Sequence, residues 1–260
     1  MTIGLFYYSE TGNTKIACEY IKKQISGVEL IDISEEKKIN WNKYDLVGFA
    51  TSTYYLNIPP KVYEFLNSIN KQNSKPVFLL ATFGVMPGRV LKNLEKVVKN
   101  KGFEVIAYHK LHMPESYPPF IAKNLANLSA PNNEELKNFR EFISEIKEKY
   151  NQIKKKEKLS RVKVKMNFWD IIIPPTSNKK IMKQFGILHV DKNKCNSCKI
   201  CYNSCPYQAI KFNKTPSFLM DKCKGCFVCY NKCPQKAIYT DKISGGFYNR
   251  LNTKLKEKFK

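Results

Sequence analysis

Residues 3–14 read Ile3-Gly4-Leu5-Phe6-Tyr7-Tyr8-Ser9-Glu10-Thr11-Gly12-Asn13-Thr14. An apolar run ends abruptly in a polar loop, and a helical pattern opens at Lys15. Hydroxyls at 9, 11 and 14, with Gly12 for close backbone approach, make a phosphate cradle at a helix N-terminus. A Walker loop needs Gly-x4-Gly-Lys and a dinucleotide site Gly-x-Gly-x-x-Gly; neither is present. A plain Ser/Thr-rich N-cap is the other reading of the same six residues.

Outward from this stretch, residues 1–150 alternate two kinds of segment. Ile3–Tyr8, Val28–Ile33, Leu46–Thr51, Val77–Thr82 and Phe103–Tyr108 are short apolar runs rich in β-formers. Lys15–Ser26, Lys61–Ile69, Arg89–Lys101 and Glu134–Tyr150 carry helical patterns, the last with Leu136, Phe139, Phe142, Ile143 and Ile146 on one face. Apolar strands separated by helices predict a parallel sheet covered on both sides, a doubly wound α/β domain. Residues 151–185 follow as a basic linker and a packing segment, in which Trp169 and Ile171–Ile173 are expected to pack against a domain.

Residues 186–242 contain eight of the nine cysteines. Cys195-x2-Cys198-x2-Cys201-x3-Cys205-Pro206 recurs as Cys223-x2-Cys226-x2-Cys229-x3-Cys233-Pro234, and residues 201–210 and 229–238 share Cys-Tyr-Asn-x-Cys-Pro-x-x-Ala-Ile. Three thiolates two residues apart on a tight loop can hold three irons of one cube, and the fourth lies past the turn. Two four-cysteine zinc sites are the alternative, but zinc calls for neither a third cysteine at x2 nor a Cys-Pro. The ninth, Cys18, falls beside Ile16 and Ile21 in the first helix and reads as a core residue.

The cysteine spacing resembles that of bacterial ferredoxins, whose fourth cysteine ligates the other cluster. That resemblance implies two [4Fe–4S] clusters, one on Cys195, Cys198, Cys201 and Cys233 and the other on Cys223, Cys226, Cys229 and Cys205. The Ser9–Thr14 loop is similar to the first loop of the flavodoxins, Ser/Thr-x-Thr-Gly-x-Thr. Together the motifs resemble the flavodoxin–ferredoxin fusion proteins. The implied architecture is a flavodoxin-like domain over 1–150 and a small α+β 2[4Fe–4S] ferredoxin-like domain over 186–242, with a basic tail over 243–260.

The resemblance further implies FMN, its phosphate on Ser9, Glu10, Thr11, Gly12, Asn13 and Thr14. Its ring would lie between Thr51-Ser52-Thr53-Tyr54-Tyr55-Leu56-Asn57 and a second loop that begins Thr82-Phe83-Gly84. Tyr54 or Tyr55 would stack on the ring, backbone groups of 82–84 would meet its pyrimidine edge, and 112–117 would wall the site. Flavodoxins often carry a glycine in the first ring loop whose peptide turns over when the flavin is half reduced. Residues 52–58 contain none.

The formal net charge is +23. It is concentrated in residues 151–260, which hold 25 Lys/Arg against 6 Asp/Glu. An acidic redox partner protein is therefore expected. Nucleic acid is not, because no reading motif accompanies the charge. His109, His112 and His189, the only histidines, lack metal-ligand spacing. In the tail, Phe247, Tyr248, Leu251, Leu255 and Phe259 fall on one helical face, to dock on the protein itself or lie on an anionic membrane. No run approaches the roughly 18 apolar residues of a membrane span, and Met1 leads directly into a strand-like segment. A cytoplasmic protein is expected, in which a count of nine cysteines points to metal or redox chemistry rather than disulfides.

The function expected is transfer of electrons between FMN and the clusters and on to a partner, as a carrier rather than a substrate-specific oxidoreductase. The rivals are an FMN-dependent reductase of a small substrate fed by the clusters, and a ferredoxin docking module that has lost flavin.

Overall fold

A computed structural model describes residues 2–35, 38–248 and 253–260. The chain opens with β1 (Ile3–Tyr7), α1 (Asn13–Gln24), β2 (Val28–Asp32), β3 (Leu46–Ser52), α2 (Pro60–Ser68), β4 (Lys75–Phe83), α3 (Val90–Asn100) and β5 (Phe103–His112). It continues through α4 (Pro118–Ala122), α5 (Asn133–Lys154), α6 (Phe168–Ile172) and α7 (Asn178–Phe185). The rest comprises β6 (Leu188–Val190), α8 (Ile200–Asn203), β7 (Ile210–Asn213), β8 (Thr215–Phe218), α9 (Val228–Lys232), β9 (Ile238–Thr240) and α10 (Thr253–Lys258).

Two compact units result. The first comprises 1–114, 129–175 and 253–260; the second comprises 115–128 and 176–252. The linear reading kept 115–128 with the first domain, and the structure groups them with the cysteine-bearing unit.

In the first unit five parallel strands lie in the order β2-β1-β3-β4-β5. This is the flavodoxin-like order, with its switch point beside β1. Alternation along each strand sorts the core onto two faces. Leu5, Tyr7, Phe78 and Leu80 meet α1 and α5 through Ala17, Cys18, Ile21, Phe139 and Ile143. Phe6, Tyr8, Val47, Phe49 and Leu79 meet α2 and α3 through Val62, Leu66, Leu91 and Leu94. The five strands and four long helices match the sequence reading. β5 runs on to His112, four residues past the expected end. Cys18 is fully buried, and burial drives its thiol far above the ordinary range.

The basic linker is not a free tether. Val162 N donates to Val105 O at 2.8 Å, and Val164 N donates at 3.2 Å to Glu95 Oε1. Glu95, buried in α3, is matched by Lys92 and Lys99, each at 2.7 Å. In the tail, Leu255 and Phe259 are buried in the core beside Tyr20 and Phe139. The apolar side of α10 therefore packs within its own unit; Leu251 lies outside the described residues.

The second unit is small, with its own core of Phe185, Leu188, Ile210, Phe227, Tyr230 and Ile238. Strands β6 and β9 pair antiparallel, as do β7 and β8. Helices α8 and α9 follow the two cysteine loops and occupy equivalent places in the sequence repeat.

Candidate functional site

The repeat is legible in the backbone. Left-handed residues fall at Ser197, Lys199 and Gln208 in the first copy and at Gly225, Phe227 and Lys236 in the second, matching positions of the repeat. Such conformations are costly for non-glycine residues and persist only where the surroundings fix them. Here they wind each Cys-x2-Cys-x2-Cys run into a tight loop that turns its sulfurs inward. The amide of Ala209 donates to Cys205 Sγ and that of Ala237 to Cys233 Sγ, both at 3.3 Å. Hydrogen bonds of this kind stabilise ligating sulfurs and tune the potential of a cluster.

The loops enclose two cavities. Cys195, Cys198, Cys201 and Cys233 line one, with about 320 Å³ of free space that includes some open solvent. Cys205, Cys223, Cys226 and Cys229 line the other, of about 340 Å³ by the same measure. Each thus takes three cysteines from one copy of the motif and the fourth from the other. Among the described residues no three His, Cys, Asp or Glu side chains converge on a single ion. Four sulfurs in this repeated Cys-x2-Cys-x2-Cys and Cys-Pro arrangement fit an iron–sulfur cube better than one zinc. Burial pushes the Cys201 thiol up to about 11 and the Cys229 thiol well above its ordinary value.

The two copies differ in cover. Tyr230 of α9 is fully buried, stacked on Phe247 at 4.6 Å and donating to Gly245 O at 2.7 Å. Its repeat counterpart Tyr202 is 47% exposed. Asn231 donates to Ser116 O and accepts from Tyr248 N, so 115–128 and 243–248 close over the second copy. Residues 196–200 of the first copy, including Cys198, are exposed. Lys192, Lys194 and Lys236 line a separate groove with Asp191, Tyr239 and Phe247, in which Lys194 pairs with Asp191 at 3.1 Å.

In the first unit the candidate flavin residues gather at the carboxyl ends of β1, β3 and β4, where open α/β sheets take ligands. Gly12 stands at the N-terminus of α1 with φ 99°, and a Cβ there would meet no atom within 4 Å. The constraint is therefore backbone conformation, which glycine alone adopts cheaply. Ser9 Oγ accepts from the amides of Gly12 and Lys15, both at 3.2 Å. Thr14 Oγ1 meets Thr82 Oγ1 at 2.8 Å, joining this loop to the end of β4. Asn13 is buried and donates to Pro114 O at 2.8 Å. The donor set of hydroxyls and helix-terminal amides suits a phosphate.

Glu10 is the unexpected member of this loop. Its carboxyl is buried against the hydroxyls of Tyr8 and Ser52, and burial pushes it up to about 8. Thr53 N donates to Thr82 O at 2.8 Å, so the loops after β3 and β4 are also tied together. Thr51 is buried and its hydroxyl donates to Ser52 O at 3.1 Å.

The first ring loop turns tightly on itself, with Tyr54 and Asn57 exchanging both backbone hydrogen bonds at 2.9 Å. Tyr55 and Leu56, not Asn57, take positive φ, at 45° and 68°. The turn is braced from outside by Arg89 N donating to Leu56 O at 2.8 Å. Asn57 Oδ1 accepts from Ile58 N at 2.8 Å and Asn93 Nδ2 at 2.7 Å. Tyr54 is buried and Tyr55 half-buried, their rings edge to face at 4.8 Å. Beyond Gly84, the Phe83 ring stacks on His112 at 5.1 Å, and His112 Nδ1 lies 2.8 Å from Glu135 Oε1. The pairings of Glu10 with Ser52, and of Phe83 with His112, had no signal in the sequence, because the partners are distant in the chain.

The comparisons with known proteins follow the same division. Residues 4–116 match the family model of the flavodoxin domain, and residues 187–234 that of the 4Fe-4S dicluster domain. The uncharacterized protein MJ0298 of Methanocaldococcus jannaschii is 29% identical over 132 residues, covering 49% of this chain and 88% of that protein. A flavodoxin from the domain Archaea is 18% identical with TM-score 0.44, over 58% of this chain and 99% of that one. A flavoprotein from Lactobacillus acidophilus NCFM, solved in complex with FMN, is 17% identical with TM-score 0.37, over 42% and 92%. The chain thus carries a flavodoxin domain followed by a 4Fe-4S dicluster domain, matching a flavodoxin–ferredoxin fusion.

Proposed function

We propose that the chain is an electron carrier that joins one FMN to two [4Fe–4S] clusters and delivers electrons to an acidic partner protein. The domain content supports electron transfer in general. The observation that carries the finer reading is the pair of four-cysteine cavities, each completed by the fourth cysteine of the other repeat.

Ser9, Thr11, Thr14 and the backbone around Gly12 would hold the FMN phosphate. Tyr55, the more exposed of the two tyrosines, would face the ring, and the strand-end backbone at 82–84 its polar edge. Bound FMN supplies exchange between two-electron and one-electron carriers, while the protein orients it and excludes water. The first-copy cluster, with exposed Cys198 and the lysines at 192, 194, 199 and 236 nearby, is the side from which a partner would draw electrons. Positive charge there speeds encounter with an acidic surface.

Thr11→Asp places a negative charge against the phosphate and tests the flavin half. FMN binding should be lost while the cluster absorbance stays. Undiminished FMN affinity in that variant would remove the phosphate assignment.

A further inference from the structure

Helix α6 is built inside out. A surface helix ordinarily turns its apolar side chains inward. Here Asp170 is 2% exposed, whereas Phe168, Trp169, Ile171 and Ile172 are 66%, 60%, 53% and 52% exposed. Packing of Trp169 and its neighbours against a domain, as the sequence predicts, does not occur for these four side chains.

The orientation is fixed by polar contacts on the buried side. Asn167 caps the helix, accepting from Asp170 N at 2.7 Å, and Asp170 Oδ2 accepts in return from Asn167 N at 3.4 Å. Lys110 Nζ lies 3.1 Å from the same carboxylate. The Arg89 guanidinium donates to Asp170 O at 2.9 Å and Ile171 O at 2.5 Å. With its only acid and two of its carbonyls held this way, the helix cannot roll its apolar side inward without breaking them.

At 100° per residue the four apolar side chains span an arc of about 160°, with Asp170 behind them. That is a broad apolar face. Its rim is cationic. Lys110 already neutralises Asp170, and Lys163 and Lys165 are exposed just before the helix. Residues 151–185 as a whole hold ten basic side chains against two acidic ones. Exposed apolar clusters with a polar rim mark interaction sites. Tryptophan beside aliphatic side chains and lysines is the composition that settles at a lipid interface.

We propose that α6 is an interfacial anchor for an anionic bilayer. Phe168, Trp169, Ile171 and Ile172 enter the boundary between headgroups and acyl chains, and Lys163 and Lys165 meet the lipid phosphates. Anionic lipid, not lipid in general, is specified by the rim, since each cation near such a surface adds to binding. The anchor is independent of flavin and cluster loading.

The test uses the full chain with its cofactors, sedimented with vesicles of mixed phosphatidylglycerol and phosphatidylcholine and with vesicles of phosphatidylcholine alone. The chain should pellet with the anionic vesicles, with a blue shift of tryptophan emission that Trp169→Ser removes. Trp169→Ser/Ile172→Ser should lower the partition coefficient about tenfold or more. Because both residues are exposed, flavin and cluster spectra should not change, which separates lost binding from lost folding. Lys163→Glu/Lys165→Glu should reduce the preference for anionic over neutral vesicles. The proposal is overturned if the chain stays in the supernatant. It is overturned equally if the apolar double variant pellets like the wild type, or if that variant instead abolishes self-association of the chain.

Discussion

The carboxyl of Glu10 is buried against the hydroxyl of Ser52, so an acid in the loop after β1 is tied to the end of β3. No cation faces it. Tyr8 and Ser52, both neutral hydroxyl groups, are its neighbours, and burial alone raises it, from about 4.5 to about 8. The acid form is thus the one the folded loop prefers.

A raised carboxyl binds its proton more tightly in the folded than in the unfolded chain. Its contribution to stability is complete below about 4.5 and is lost as pH rises through about 8. His109, buried against Phe139 and Phe142, is pushed down to about 4 and acts oppositely, weakening the fold as pH falls below 6.5. Between 6.5 and 8 only the Glu10 effect remains of these two, with a slope of about 1.4 kcal/mol per pH unit. Unfolding of the chain in urea across this range should show stability falling with pH. Glu10→Gln should flatten the fall and, by removing a developing charge beside the phosphate, also the loss of FMN affinity over the same range. An unchanged slope in that variant means that Glu10 does not titrate there.

Cys233 belongs to the second copy of the motif but lines the cavity of Cys195, Cys198 and Cys201. Cys233→Ala should therefore remove that cluster, halving iron and sulfide to about four of each per chain. The cluster on Cys205, Cys223, Cys226 and Cys229 should keep its spectrum. Loss of only the latter cluster would reverse the ligand assignment.

Gly88 is pressed against the ring loop. It has φ 56°, and a Cβ there would come within 2.6 Å of Leu56 Cα and Leu56 O. Gly88→Ala combines a left-handed penalty with displacement of the Tyr54–Asn57 turn, for a cost on the order of 1–3 kcal/mol. FMN affinity should fall about tenfold or more while cluster content is unchanged. Calorimetric titration of FMN into the flavin-free protein measures it. Affinity equal to the wild type would detach this turn from the flavin site.

The parallel sheet was legible because β1, β3 and β4 are apolar on both faces and the helices between them keep a 3.6-residue period. The grouping of the cysteines around two cavities was legible because the spacing is repeated and resembles that of bacterial ferredoxins. What escaped depends on contacts distant in sequence. Nothing local marks Ser116 as a partner of Asn231, or explains why 115–128 close over one copy of the repeat and leave Tyr202 outside. The Tyr55–Leu56 pair in left-handed conformation was missed for a related reason. Asn57 is the residue whose type suggests such angles, yet its side chain is held by Asn93 and its own turn, and the strain falls on its neighbours. Trp169 and Ile171 look like core residues in sequence, and only the buried Asp170 reveals which way their helix faces.

Salt reports on the lysines at 192, 194 and 236. The Debye length falls from about 10 Å at 0.1 M to 3 Å at 1 M, so a steered encounter slows steeply across that range. Stopped-flow electron transfer from the reduced chain to an acidic ferredoxin-dependent protein should slow with salt, and Lys192→Glu/Lys194→Glu should weaken the dependence. A rate that is flat in salt would leave these lysines with no part in docking.

The central claim, one FMN and two clusters acting in one chain, is tested most directly by an anaerobic reductive titration of the purified, fully loaded protein. FMN accepts two electrons and each cluster one, so the titration should consume about four electrons per chain, with both the flavin and the iron–sulfur absorbance bleaching. Consumption of two or fewer, with either chromophore absent or unresponsive, would contradict the account.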